Sequence, residues 1–340
     1  MKIDVIFTGG TIGSKKNENG MLSTNKDGQY TLLNRYIETF GNHVEFMARE
    51  PYCILSENLS AKELMILIEE IRELINLTNP NGIIITHGTD TLQYTAAILG
   101  YVFADINFPI ILVSSNYILD DPRSNGLMNF KCAVNFIKER LGQGVFVSYQ
   151  NIGQDVYIHR ATRLEQSIMF KDNVYSVMDS WYGKFSGKNS DLYEKNPAYK
   201  TDSSSRKNIF SSKKIKLCFN SDSIIRIRPY PGMSYPLIMD HTKAIIHESY
   251  HSGTIRISDE FLDFVKQAKK EKIPFFLTGL DSKESKYETV AVYREVGIIP
   301  LPESAVIAQY CKLWLAVSNN LDVVEIMKYA WGEDFVYSEN

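Results

Sequence analysis

Long apolar runs are missing from this 340-residue chain. The longest, such as Pro109 to Val113, fall far short of the roughly 20 residues that cross a bilayer, so no membrane association is expected. A signal-peptide pattern is missing too, because the apolar stretch after Lys2 is short and interrupted by Asp4. Cysteine is scarce: Cys53, Cys132, Cys218 and Cys311 lie far apart, with no C-x-x-C pair. That argues against a disulfide framework and for buried thiols in a reducing cytoplasm. An excess of positive charge is absent as well; the formal net charge of -3 gives no reason to expect nucleic-acid binding. No short repeat is evident. What remains, 44% hydrophobic and 23% charged residues, is the composition of a globular protein of one large or two ordinary domains.

The first two-thirds of the chain alternates strand and helix patterns. KIDVIFTGG reads as a buried strand ending in a glycine turn, and VEFMA (44–48) as another strand. Ser60 and Glu63 form a capping box, behind which Leu64, Leu67, Ile68, Ile71, Leu74 and Ile75 recur at helical spacing to about Thr78. GIIITHGTDT reads as strand and turn, residues 91–103 as helix, 109–114 as strand, 123–141 as helix and 145–149 as strand. This β-α-β alternation predicts a parallel sheet covered by helices on both faces, with ligands at the carboxyl ends of the strands. From Lys184 to Lys214 the sequence turns polar, rich in Ser and Lys and without period. Alternation then resumes with IKLCF, AIIHES, a helix over 258–271, PFFLT, and helices near 303–317 and 320–331. The expected architecture is α/β: two doubly wound, Rossmann-like domains with mainly parallel sheets, the second smaller. The large domain spans 1–185, an exposed linker 186–214, and the small domain 215–340.

One stretch imitates a metal site. His247-Glu248-Ser249-Tyr250-His251 fits H-E-x-x-H, which binds zinc when both histidines share a helix face. Here Ala244-Ile245-Ile246 precedes it and Ser252-Gly253-Thr254 follows, the context of a strand running into a turn. On a strand the two histidines stand about 13 Å apart. A zinc ion with bonds near about 2 Å cannot bridge that gap.

Two turns carry more promising chemistry. Thr8-Gly9-Gly10-Thr11-Ile12-Gly13-Ser14 closes the first strand; its glycines permit a tight turn and close approach of a ligand, and Thr11 presents a hydroxyl. It lacks the G-K-[ST] of a phosphate loop. Thr86-His87-Gly88-Thr89-Asp90-Thr91 closes a later strand and sets Thr89 beside Asp90, although Asp90 is also a candidate N-cap for the following helix. Two such turns on one sheet rim converge on one crevice.

TGGTIGS and HGTDT resemble the two signatures of the bacterial-type L-asparaginases, and the similarity is closest to their cytoplasmic type I branch. RSNGLMN (123–129), YPGM (230–233) and EVGIIPLPESAVIAQYCKL (295–313) extend the likeness along the whole chain. The resemblance implies two doubly wound α/β domains, a homotetramer or dimer in which a neighbour's small domain completes each site, a small-molecule amide substrate, and neither metal nor organic cofactor. By position, Thr11 matches the nucleophilic threonine, with Gly10 and Gly88 in the two turns beside it. Thr89 and Asp90 match the second threonine and its aspartate, which binds the substrate's α-ammonium. Ser56 and Glu57 match the pair that grips the α-carboxylate and α-ammonium, and backbone amides near Ser114 and Ser115 match the oxyanion position.

The sequence also departs from that pattern. Arg163, in His159-Arg160-Ala161-Thr162-Arg163, stands where the family has a lysine; a guanidinium could hold Asp90 but is a poor proton acceptor. Met21 aligns with the loop tyrosine and has no hydroxyl, which leaves Tyr30, further along, as a substitute. Glu57 adds a negative charge near Asp90, and Thr254 replaces an asparagine of the small domain. The leading reading is an amidohydrolase acting on L-asparagine or a related small amide through a threonine nucleophile. The alternative is a divergent homologue that binds a small amino-acid-like ligand with altered or no turnover. A third reading, the asparaginase-like component of the archaeal glutamyl-tRNA amidotransferase, is set aside because that component carries an extra N-terminal domain while this sequence begins at the first strand.

Overall fold

The computed structural model describes residues 1–16, 22–24, 28–201, 210, 215–217, 223–280 and 287–336. In chain order the elements are β1 (Lys2–Phe7), β2 (Ser14–Lys16), β3 (Leu22–Thr24), α1 (Gly28–Phe40), β4 (Glu45–Arg49), α2 (Ala61–Thr78), β5 (Gly82–Thr86), α3 (Leu92–Val102), β6 (Pro109–Val113), α4 (Gly126–Lys138), β7 (Gly144–Gln150), β8 (Val156–Arg160), β9 (Gly183–Ser186) and β10 (Leu192–Lys195). The second half carries β11 (Ile224–Ile227), β12 (Ala244–Glu248), α5 (Asp259–Lys270), β13 (Phe275–Thr278), α6 (Thr289–Val296), β14 (Ile299–Pro300), α7 (Val306–Ser318) and α8 (Val323–Lys328).

The large sheet runs β10-β9-β8-β7-β6-β5-β1-β4. Its β4, β1, β5, β6 and β7 are parallel, and β8 to β10 add an antiparallel edge. The inner parallel strands β5 and β6 are buried along their whole length because helices cover both faces: α2 and α3 on one side, α1 and α4 on the other. The Ser60–Glu63 capping box is formed at the start of α2 as its spacing predicts. The chain leaves β1 for β4 on one side and returns to β5 on the other, so the topological switch point lies between β1 and β5. Register levels their ends: Phe7 pairs with Thr86, and Thr86 with Val113. The turns after β1, β5 and β6 therefore share one rim, where doubly wound sheets place their ligands.

The small sheet, β11-β12-β13-β14, is all parallel and packs on α5 and α6. Ser258 caps α5, with acids in its first turn and lysines in its last, matching the helix dipole at both ends. HESYH lies on β12 and the turn after it, as its flanking residues predict. His247 is buried, one ring nitrogen bonded to the Glu248 carbonyl and the other to the Tyr235 hydroxyl.

Two parts of the layout differ from the sequence reading. Residues 183–195, assigned in part to the linker, form the β9–β10 hairpin of the large sheet. Its polar sequence is that of an edge, β10 being exposed along most of its length. Most of the remaining linker, 202–209 and 211–214, lies outside the described residues. Ile215 to Leu217 of IKLCF is not a strand, and 218–222 is not described. In addition, α7 and the segment 330–336 pack against α3 of the large domain, joining its core rather than only that of the small domain.

Candidate active site

The rim turns touch through glycine. Gly10 has φ 78 and ψ 178, and a β-carbon there would fall 2.4 Å from the Gly88 nitrogen. At Gly88 an added β-carbon would fall 2.4 Å from Ser56 Oγ. Ser56 is drawn to the rim by a bridge in which the Gly10 amide donates to the Ile54 carbonyl and the Ile54 amide to the Thr8 carbonyl, both at 3.1 Å. The Thr11 turn thus meets the Thr89 turn backbone to backbone at Gly10 and Gly88, and the Ser56 side chain packs on Gly88.

Asp90 is tied into this junction. Ser56 Oγ donates to its carboxylate at 3.0 Å, Thr91 Oγ1 donates to the Ser56 carbonyl at 2.9 Å, and Gln93 Nε2 donates to the Asp90 carbonyl at 3.1 Å. The N-cap position of α3 is Thr91, without a side-chain capping bond, so the Asp90 carboxylate is not spent on the helix. It remains exposed at the rim, with Thr11 and Thr89 half-buried and Glu57 exposed next to buried Ser56. Tyr30 stands in the first turn of α1, the helix packed against the Thr11 turn, and is 60% exposed. Met21 lies outside the described residues.

His87 supports the second turn, a role that sequence reasoning did not assign. Its Nδ1 bonds the Gly88 carbonyl and its Nε2 the Thr95 hydroxyl, both at 2.8 Å. A carbonyl only accepts, so Nδ1 carries the proton. Burial holds the ring's pKa down at about 4, which keeps it neutral and fixed. The position was visible in T-H-G-T-D-T; nothing in the spacing marked the histidine as buried.

One predicted residue is elsewhere. Arg163 does not hold Asp90: its guanidinium donates to the carbonyls of Glu333 at 2.7 Å, Lys200 at 2.8 Å and Phe335 at 3.0 Å, and lies over the Tyr199 ring. The carboxyl-terminal segment offers a wall of carbonyls that a fork of donors satisfies. Ser114 and Ser115 show no exposure, their hydroxyls bonded to the His87 carbonyl and to Tyr117 and Ser124. Thr254 follows β12, where its carbonyl accepts from the Tyr250 amide.

Beside Thr89 and Asp90 lies a cavity of about 300 Å³, bounded further by Gln93, Tyr149 and the segment 166–174. The sequence reading missed this segment as a wall because it has neither periodicity nor turn motif.

A larger mixed sheet, a smaller parallel sheet and two glycine-joined threonine turns at the switch point define an asparaginase-like amidohydrolase fold. Residues 2–211 match the family model described as asparaginase, N-terminal, so the chain belongs to the asparaginase family. The chain is 27% identical over 354 residues to a component of the glutamyl-tRNA(Gln) amidotransferase of Sulfolobus acidocaldarius, covering 96% of this chain and 74% of the relative. It is 25% identical to an L-asparaginase of Thermococcus kodakarensis, with 96% of each covered. Two solved structures share the fold at 22% identity. The thermostable L-asparaginase of T. kodakarensis has a TM-score of 0.77, with 99% of this chain and 100% of that one covered. L-asparaginase I of Vibrio cholerae has a TM-score of 0.79, with 99% of each covered. Membership holds for the family as a whole; the narrower placement in the bacterial type I branch does not, since archaeal amidotransferase components and asparaginases match alongside. Among the described residues no helix is long and apolar enough to cross a membrane.

Proposed function

We propose that this chain is a divergent asparaginase-family protein whose cleft takes a small amino-acid-like ligand, with altered or absent turnover of L-asparagine. The observation that carries this reading is the Ser56–Asp90 hydrogen bond of 3.0 Å, made where Gly10, Gly88 and Ser56 touch. It holds an exposed carboxylate, with Glu57 nearby, at the rim where an ammonium group would be received. Arg163, committed to the carboxyl-terminal segment, supplies no proton relay to Thr89 and Asp90. The Ser114 and Ser115 hydroxyls are buried and engaged within the protein, Ser114 with the His87 carbonyl and Ser115 with Tyr117 and Ser124. A homo-oligomer in which a neighbouring copy completes the cleft belongs to the same proposal.

A second reading keeps full chemistry, and the contact that sets the Thr11 and Thr89 turns side by side favours it. In it Thr11 Oγ1 attacks the amide carbon, ammonia leaves, and water hydrolyses the acyl-enzyme. Thr89 steers a proton or water and Asp90 binds the α-ammonium. Ammonia release from L-asparagine separates the two. We expect wild-type rates no higher than those of Thr11→Ala, with L-asparagine binding that Asp90→Asn abolishes. Release that depends on Thr11 would establish the second reading, and binding indifferent to Asp90→Asn would overturn the first.

A further inference from the structure

One arginine of the small domain reaches into the large one just behind the cleft. Arg226 stands on β11, and its guanidinium spreads over three partners. Nε and Nη2 donate to Glu248 Oε1 on β12 at 3.0 and 2.8 Å. Nη1 donates to the Tyr94 hydroxyl at 3.1 Å, and Nη2 also reaches Gln166 Oε1 at 3.4 Å. Tyr94 and Gln166 belong to the large domain. Tyr94 lies in the first turn of α3, and Gln166 opens the segment 166–174 that bounds the cavity beside Asp90. Their chain neighbours meet at that cavity. Gln93 Nε2 donates to the Asp90 carbonyl at 3.1 Å, and Ser167 Oγ donates to Gln93 Oε1 at 3.4 Å. Gln93, Gln166 and Ser167 line the cavity, whereas Arg226 and Tyr94 stand outside its lining.

We propose that Arg226 is a positioning residue of the cleft: through Tyr94 and Gln166 it ties the first turn of α3 and the start of the segment 166–174 to the small domain, and so fixes the cavity in which Asp90 stands. This role rests on the cleft reading above and assigns part of the cleft's shape to the chain's own small domain. Pairing with Glu248 uses Nε and Nη2, and a planar fork of five donors can serve oxygens on other elements at the same time. The pair is partly buried, with the side chain 23% exposed at Arg226 and 14% at Glu248, so it is screened less than a surface pair. Tyr310 of α7 backs it, its ring 5.6 Å from the guanidinium and edge-on to Tyr94 at 6.4 Å. The segment 166–174 has no helix or strand to brace it. Its far end is held by Tyr149, which donates to the Asp172 carbonyl at 2.8 Å, and by Asn151, which accepts from the Val174 amide at 2.8 Å. At its near end Gln166 is held by Arg226 and Ser167 by Gln93. Without the guanidinium, that near end keeps only its tie to Gln93, the residue that also holds the Asp90 carbonyl.

L-Asparagine titration and amide hydrogen exchange on the full chain test this. Arg226→Lys keeps a cation beside Glu248 but puts one nitrogen in place of the fork. It should bind L-asparagine about 10-fold more weakly than wild type. It should also speed exchange at the Glu165 amide, bonded to the Tyr175 carbonyl at 2.9 Å, and at the Lys171 amide, bonded to the Ile168 carbonyl at 3.2 Å. Tyr94→Phe leaves the Arg226–Glu248 pair and the ring in place, so it tests the same tie if Arg226→Lys folds poorly; it should weaken binding in the same direction. The double variant should bind no more weakly than Arg226→Lys alone, because both changes break one connection. Thr11→Ala forms are titrated alongside so that hydrolysis of the probe is controlled. A merely structural Arg226 would move the urea midpoint and leave the affinity of the folded protein alone. Unchanged affinity in Arg226→Lys and Tyr94→Phe, unchanged exchange at both amides, or additive losses in the double variant would overturn the positioning role while the cleft reading stands. A wild type that fails to bind L-asparagine overturns the cleft reading, and the claim that Arg226 serves binding falls with it.

Discussion

Gly10→Ala tests the junction on which the site depends. Gly10 has φ 78 and ψ 178, a conformation populated almost only by glycine, and holding alanine there costs about 1–3 kcal/mol. Its β-carbon would lie 2.4 Å from the Gly88 nitrogen and 2.6 Å from the Gly88 α-carbon. Carbon contacts settle at about 3.5–4.0 Å, so one turn must retreat by about 1 Å. Both atoms are backbone, so no side-chain rotation relieves the clash. Retreat stretches the 3.1 Å bond from the Gly10 amide to the Ile54 carbonyl and parts the Thr11 turn from Ser56 and Thr89. Together these effects come to about 3 kcal/mol or more, at the upper end for single substitutions. Gly13→Ala is the control, since a β-carbon there meets nothing within 4 Å and its φ is not positive; its cost should stay within about 0.5 kcal/mol. Urea unfolding of the three proteins, with L-asparagine titrations on each, gives the comparison. A Gly10→Ala protein as stable as Gly13→Ala that binds equally well would refute the idea that the turns are held by backbone contact.

Three further outcomes follow from groups described above. Arg163→Lys replaces three guanidinium bonds to backbone carbonyls with one ammonium; it should lower stability by about 2 kcal/mol and leave ammonia release no faster, whereas a faster variant would return Arg163 to the cleft. Burial holds His87 down at about 4 and His159 at about 3, while an unfolded imidazole takes its proton near about 6.5. Below that pH the unfolded chain binds more protons than the folded one. Urea midpoints should therefore fall from pH 6.5 towards 4, by at most about 1.4 kcal/mol per unit per histidine, and a flat profile would contradict this. Lys312→Met strands the Asp334 carboxylate, which it meets at 2.7 Å with both side chains fully buried; a loss of about 3–5 kcal/mol is expected, and a thermal midpoint equal to wild type would sink the claim.

Local rules made much of this molecule legible. KIDVIF, GIIIT and PIILV announce buried parallel strands, Ser60 and Glu63 a helix start, and the glycines of the two threonine turns a tight approach. The strand under HESYH was readable from Ala244 to Ile246. What was not readable depends on partners distant in sequence. Arg163 turns from the cleft because Glu333 and Phe335, some 170 residues on, offer it carbonyls. The β9–β10 hairpin is polar because it is an edge, and polar edge strands resemble linkers. Residues 166–174 become a wall only through Tyr149, Asn151 and Arg226.

The anchorage of Thr162 and Arg163 is asymmetric in what it asks of evolution. Gly332, Glu333 and Phe335 contribute main-chain oxygens, which every amino acid possesses. At Glu333 and Phe335 a changed side chain leaves those oxygens in place, but Gly332 has φ 57 and an added β-carbon there would fall 2.8 Å from the Gly100 carbonyl oxygen. Deleting the segment or rerouting it would strip Arg163 of two of its three acceptors at once. Vulnerability thus sits with the donor, with chain length and with the glycine that sets the path of the tail.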